Sequence, residues 1–101
     1  MSSVIDEVSA ERQRQIEKEG WTPAHDDKHA GGELARAASC YARYADLSDP
    51  FAQPTNVPDE WPFDGPWWKP KNERYDLIRA AALIVAEIER LDREQQNEVK
   101  T

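Results

Sequence analysis

The chain has little that would staple or anchor it. One cysteine, Cys40, stands among 101 residues, so neither an intramolecular disulfide nor a zinc site built on several thiolates is open to it. Long apolar runs are also missing. The longest, AAALIVA at 80–86, falls far short of the roughly eighteen residues of a membrane span. The start, MSSVIDEVSAERQ, lacks the apolar middle of a secretory signal, so the expectation is a soluble, cytoplasmic protein with no membrane partner. Positive charge is scarce: 13 Lys and Arg stand against 20 Asp and Glu, a net charge of −7. Passive binding to a nucleic-acid backbone relies on clustered cations that release counterions, and this balance argues against it. A local basic pocket for a small anion stays open, as does an acidic metal site.

What is present suits one small helical domain spanning 1–101. With 39% hydrophobic residues the chain has enough for a single modest core. Residues 3–19 read as a helix of strong helix formers stopped by Gly20, with a thin apolar stripe of Val4, Ile5, Val8 and Ile16. A second helix is expected over 32–45, where Leu34, Ala37, Ala38, Tyr41, Ala42 and Ala45 recur at spacings of three and four. The third, 72–94, has Asn72 as N-cap after Pro70 and a wide apolar face of Leu77, Ile78, Ala81, Ile84, Val85, Ile88 and Leu91. Residues 95–101 are a polar tail. Between the second and third helices, 46–70 holds six of the seven prolines and three of the four tryptophans. Proline at that density excludes a helix or an inner strand, while the aromatics call for packing. The fold expected is therefore all-α: three main helices in a small bundle, a long ordered Pro/Trp-rich connection, and a homo-oligomer to cover the apolar face of the third helix.

Two acidic constellations carry candidate chemistry. In HDDKHAGGE, 25–33, both histidines of the chain stand beside Asp26, Asp27 and Glu33. Either these acids cap a turn and complement a positive helix end, or His29, Asp26 and Glu33 belong to a site. Glu73 and Asp76, three apart, project from one side of the third helix, again where they suit the dipole in any case. Acids at the heads of two packed helices would form the oxygen cage that Mg²⁺ prefers, making Glu33, Glu73 and Asp76 candidate metal ligands.

The stretches ERQRQIEKEGW, HDDKHAGGELARAASCYA and WPFDGPWWKPKNERYDLIRAAALIVAEIERLDR together resemble small proteins encoded by phages and prophages. These are in turn similar to the MazG-like branch of the all-α nucleoside triphosphate pyrophosphohydrolases. The resemblance implies a nucleotide substrate cleaved between its α and β phosphates. It also implies Mg²⁺ held by an E-x-x-E pair and an E-x-x-D pair, an oligomeric helical bundle, and the host cytoplasm as location. Glu73-Arg-Tyr-Asp76 matches E-x-x-D. Helix 32–45 departs from the pattern: Glu33 stands for the second acid of E-x-x-E, but position 30 is Ala. His29, Asp26 or Asp27 would then replace the missing carboxylate beside Glu33, and His29, Asp26 or a further Glu would orient the water for catalysis. The alternatives are a non-catalytic binder that sequesters a nucleotide-derived defence signal, and a module that docks on another protein.

The remaining candidates are ligand-binding. Trp67 and Trp68 offer indole faces for a nucleobase, with Lys69 and Lys71 beside them for phosphates, and Arg36 and Arg74 as further phosphate contacts. The competing reading makes these rings the cap of a small bundle. Trp21, after Gly20, reads as a core anchor.

Overall fold

The computed structural model describes residues 3–47 and 57–100. Among them there are four α-helices and no strand. Helix α1 (Val4–Lys18) opens on a capping box: Ser3 Oγ accepts the Asp6 amide at 3.1 Å and Asp6 accepts the Ser3 amide at 3.3 Å. It stops at Gly20, whose φ of +77° an L side chain rarely adopts. A short α2 (Pro23–Asp27) follows, not anticipated from the sequence. Thr22 caps it by accepting the His25 amide at 3.2 Å, and Pro23 occupies the first turn, where its missing N–H costs nothing. Asp26 and Asp27 are therefore not the caps expected of them. Helix α3 (Glu33–Tyr44) starts from Gly32 at φ +88° and ends in a 3₁₀ turn, Ala45–Leu47.

Helix α4 (Glu73–Lys100) continues through the polar residues expected to form a tail. Asn72 caps it as expected, accepting the Tyr75 amide at 2.8 Å. Asp27 in α2 pairs with Arg93, at 2.8 Å, and Tyr41 near the end of α3 approaches Arg79. So α3 runs back along α4, beginning near the distal half of α4 and ending near its start. Helix α1 joins α4 through polar groups: Arg74 holds Glu7 with two bonds of 2.9 and 2.6 Å, and Tyr75 donates to Glu11 at 2.7 Å. Its apolar residues Val4 and Ile5 stay in water.

The core corrects one expectation about α4. Of the wide apolar face expected there, Ile78 is buried, while Leu77, Ile84, Val85, Ile88 and Leu91 are exposed on the single subunit. The buried face is Ile78, Ala80, Ala82, Leu83 and Ala86, of which Ala80, Leu83 and Ala86 share one core with Leu34, Ala37, Ala38, Cys40 and Tyr41, while Ile78 lies beside Ala10 and Glu11 of α1. Alanine opposite alanine lets two helices approach closely, so the small residues take the interface and the bulky ones face out. Segment 48–56 of the Pro/Trp connection lies outside the described residues. The rest folds down on α3: Trp61 and Trp68 are core, and a 3₁₀ turn, Gly65–Trp67, interrupts what was expected to be non-helical chain.

Candidate functional site

The turn that carries α2 builds a buried polar cluster around Asp26. Asp26 is 0% exposed. Its Oδ2 accepts from Arg12 Nη2 at 2.8 Å, and its Oδ1 accepts from His25 Nδ1 at 3.1 Å. Arg12, itself buried, also donates to the Trp21 carbonyl at 2.9 Å and to Glu89 at 3.4 Å. One guanidinium thus fastens α1, the turn before α2, α2 and α4. Burying such a pair is costly unless each charge is fully hydrogen-bonded, and here the guanidinium reaches three acceptors.

The same turn sets both imidazoles. His29 Nδ1 donates to the His25 carbonyl at 2.9 Å. Carbonyl and carboxylate oxygens only accept, so each neutral ring keeps its proton on Nδ1 and presents a bare Nε2. The rings lie 4.5 Å apart, and His25 stacks on Trp21 with planes inclined by only 4°. Phe63 closes on His29 edge-on at 5.3 Å and on Trp21 at 5.9 Å, while Trp67 meets Trp21 at 6.2 Å. Around these rings is a cavity of about 370 Å³, completed by Glu19, Pro62 and Asp64. That volume and its aromatic lining suit a small-molecule site.

The two adjacent tryptophans differ. Trp68 is 9% exposed and stacks on Tyr41 at 4.7 Å, whereas Trp67 is 38% exposed and lines the cavity. The Tyr41 hydroxyl holds this segment in place: it donates to the Trp67 carbonyl at 3.4 Å and accepts the Lys69 amide at 3.1 Å and Arg79 at 3.5 Å. Burial pushes the Tyr41 phenol above its usual range, so it stays a neutral donor and acceptor. Lys69 Nζ sits 5.0 Å from the Trp67 ring and 3.1 Å from Glu19. Burial raises Glu19, but hydrogen bonds from Lys69 and Arg14 outweigh it and hold this carboxyl below its ordinary range.

The other candidates from the sequence lie elsewhere. Asp76 is buried and accepts the Lys71 amide at 2.9 Å, clasping the start of α4, while Glu73 on the same helix is exposed. Glu33 curls back on the start of α3. Its carboxyl is held below the ordinary range, first by its own backbone amide, with Gly31, His29 and Arg36 adding to this against the effect of burial. It precedes Tyr41 by eight residues, about 12 Å of helix, and Tyr41 is where the Asp76 charge is felt. Glu33 is therefore parted from Glu73 and Asp76. Among the described residues no three His, Cys, Asp or Glu side chains are grouped so as to hold a metal ion. Arg36 donates to the Gly31 carbonyl at 2.9 Å, Arg74 is taken by Glu7, and Lys71 lies over Tyr75 at 4.8 Å. Only Lys69 of the basic candidates borders the cavity rings.

The site thus unites His29, Trp67 and Lys69 with residues not singled out from sequence as ligand contacts: Trp21, His25, Phe63, Asp64 and Glu19. The signal that could have found His25 was present. Thr22-Pro23 is a helix start, and it puts His25 and His29 on one face, four apart. No helix of the described chain is long and apolar enough to cross a membrane. Compared with protein-family models, curated proteins and solved structures, the chain matches none of them.

Proposed function

We propose that this protein is a cytoplasmic binding protein for a nucleotide or nucleotide-derived molecule, whose flat base enters the cavity between Trp21, Phe63 and Trp67. One observation carries the reading: Trp67 keeps a third of its surface in water beside a formed cavity, while Trp68 next to it is packed away. An indole face held open in this way offers stacking worth about 1–3 kcal/mol per base. Asp64 and Glu19 line the same cavity, and carboxylates accept hydrogen bonds from the exocyclic amines of a base. They repel phosphates, so the phosphate chain would point outward past Lys69. The bare Nε2 atoms of His25 and His29 accept from ligand hydroxyls.

Sequestration is preferred here to pyrophosphate hydrolysis, and the separation of Glu33 at the start of α3 from Asp76 at the start of α4 supports that preference. The protein is also read as a homo-oligomer, for which the uncovered face of α4 speaks.

The test is tryptophan fluorescence during titration with a panel of nucleoside mono-, di- and triphosphates and cyclic nucleotides, with and without Mg²⁺, followed by product analysis. We expect saturable quenching and intact ligand. Trp67→Ala should weaken binding at least tenfold, and its unfolding free energy should stay within about 1 kcal/mol of the parent, as for an exposed position. Trp68→Ala should instead lose about 3–5 kcal/mol of stability, as large core truncations do. Unaltered binding by the Trp67 variant, or no response to any nucleotide, would refute the reading. Hydrolysed product would transfer it to catalysis.

A further inference from the structure

Helix α4 is apolar on two opposite faces. The inner one builds the core. The outer one carries Leu77, Ala81, Ile84, Ile88 and Leu91, with Val85 beside them, and its five large side chains are 36–53% exposed. The steps between the first five are four, three, four and three residues, the a/d repeat of a coiled-coil seam. Together they leave on the order of 400 Å² of apolar surface in water, the size of patch that marks an interaction site. Extended one step towards the start of α4 and two towards its end, the repeat reaches Arg74 on one side and Gln95 and Glu98 on the other. The seam is then about 36 Å long.

We infer that this face is the docking surface for a second copy of the chain, and that the two α4 helices meet antiparallel. The seam is complementary to its own reverse. About a two-fold axis between the Ile84 and Ile88 levels, Ile84 meets Ile88 of the partner subunit, and small Ala81 meets bulky Leu91 of the partner subunit. Leu77 falls on Gln95 of the partner subunit, and Arg74, which also holds Glu7 of its own chain, on Glu98 of the partner subunit. A parallel pair would set Arg74 against its own copy, Glu98 against its own copy, and Ala81 against Ala81, leaving two repulsions and a gap.

Flanking charge does not oppose the antiparallel pairing. Glu87 and Glu94 are already bound by Arg90, both at 2.7 Å. The apolar strip supplies the middle of a standard interface of about 800 Å² per partner, and the polar side chains along both edges supply its rim. A lipid surface suits the face poorly: Glu73, Asp92 and Glu98 border it, and the chain carries a net charge of −7. This inference deepens the oligomer reading above and is independent of the ligand.

Light scattering coupled to size exclusion, at micromolar concentration, should give twice the chain mass of 11.6 kDa. Ile88→Glu, at an exposed position, should give a monomer with unchanged helical circular dichroism. Spin labels on Glu98→Cys, in a Cys40→Ala background, should lie about 36 Å apart along the helices when these are antiparallel. In a parallel pair they would be about 10 Å apart. A parent monomer would overturn both the oligomer reading and the seam. A dimer that survives Ile88→Glu would overturn the seam alone. A dimer with close labels would overturn the antiparallel arrangement.

Discussion

Asp26→Asn is the sharpest probe of how the site is built. The substitution keeps the shape of the side chain and removes its charge. Arg12 then loses the carboxylate bond of 2.8 Å and retains the Trp21 carbonyl at 2.9 Å and the more distant Glu89 at 3.4 Å. Glu89 is half in water and screened, so it offsets little. Removing one partner of a buried ion pair leaves the other charge uncompensated and costs about 3–5 kcal/mol. The asparagine carbonyl still accepts one hydrogen bond, which places the expected loss near the lower end, about 3 kcal/mol. For a chain of this size that is a fall in Tm on the order of 12–24 °C. Urea unfolding followed by circular dichroism measures it, with the m-value checked for constancy. The double variant Arg12→Met/Asp26→Leu should recover much of the loss, because an apolar pair of similar volume carries no stranded charge. A loss below about 1 kcal/mol for Asp26→Asn, or a double variant worse than the sum of the singles, would refute the claim that this pair holds the turn together.

Two further outcomes follow from described geometry. Burial raises Glu11, but hydrogen bonds from Arg14 and Tyr75 prevail and leave its folded pKa below the ordinary 4.5. Its stabilisation is therefore complete above the unfolded value and is lost as pH falls through the folded one, so Glu11→Gln should flatten the acid limb of a stability–pH curve. An unchanged limb would show that the carboxylate does no such work. Gly32→Ala should cost about 1–2 kcal/mol, because φ is +88° there and an added Cβ meets only the flexible tip of Arg36, so backbone strain dominates. Urea midpoints for the alanine variant decide this, and a neutral result would contradict it.

Much of the fold was legible in local signals. Gly20 and Asn72 act through the backbone of their own neighbourhood and are found in their expected roles, and of the face expected on α3 all but Ala42 are buried, with Cys40 buried beside them. The orientation of α4 was not legible. Its sequence supports two apolar faces, and the choice between them rests on α3, whose small side chains receive Ala80, Leu83 and Ala86. The site divides in the same way. Trp67, His29 and Lys69 were visible as ring and charge candidates. The bond between Arg12 and Asp26 was not, because a charged residue in a polar helix gives no sign of burial until another helix covers it. Glu33 and Asp76 look alike in sequence, each an acid in a first turn, yet one curls back on its own helix start and the other clasps the backbone at Lys71. Only tertiary contact tells the two apart.

The guanidinium of Arg12 has a consequence for how the molecule opens. It bonds at once to the turn carrying Trp21, to Asp26 beneath the imidazoles, and to Glu89 on the longest helix. Helix α1 therefore cannot detach without stranding the floor of the cavity, and the cavity cannot loosen without releasing α1. Such segments exchange their amide hydrogens as one cooperative unit rather than fraying separately. A ligand bound beside His25 would accordingly protect amides of α1 that it never touches, and hydrogen exchange with and without ligand would read that protection.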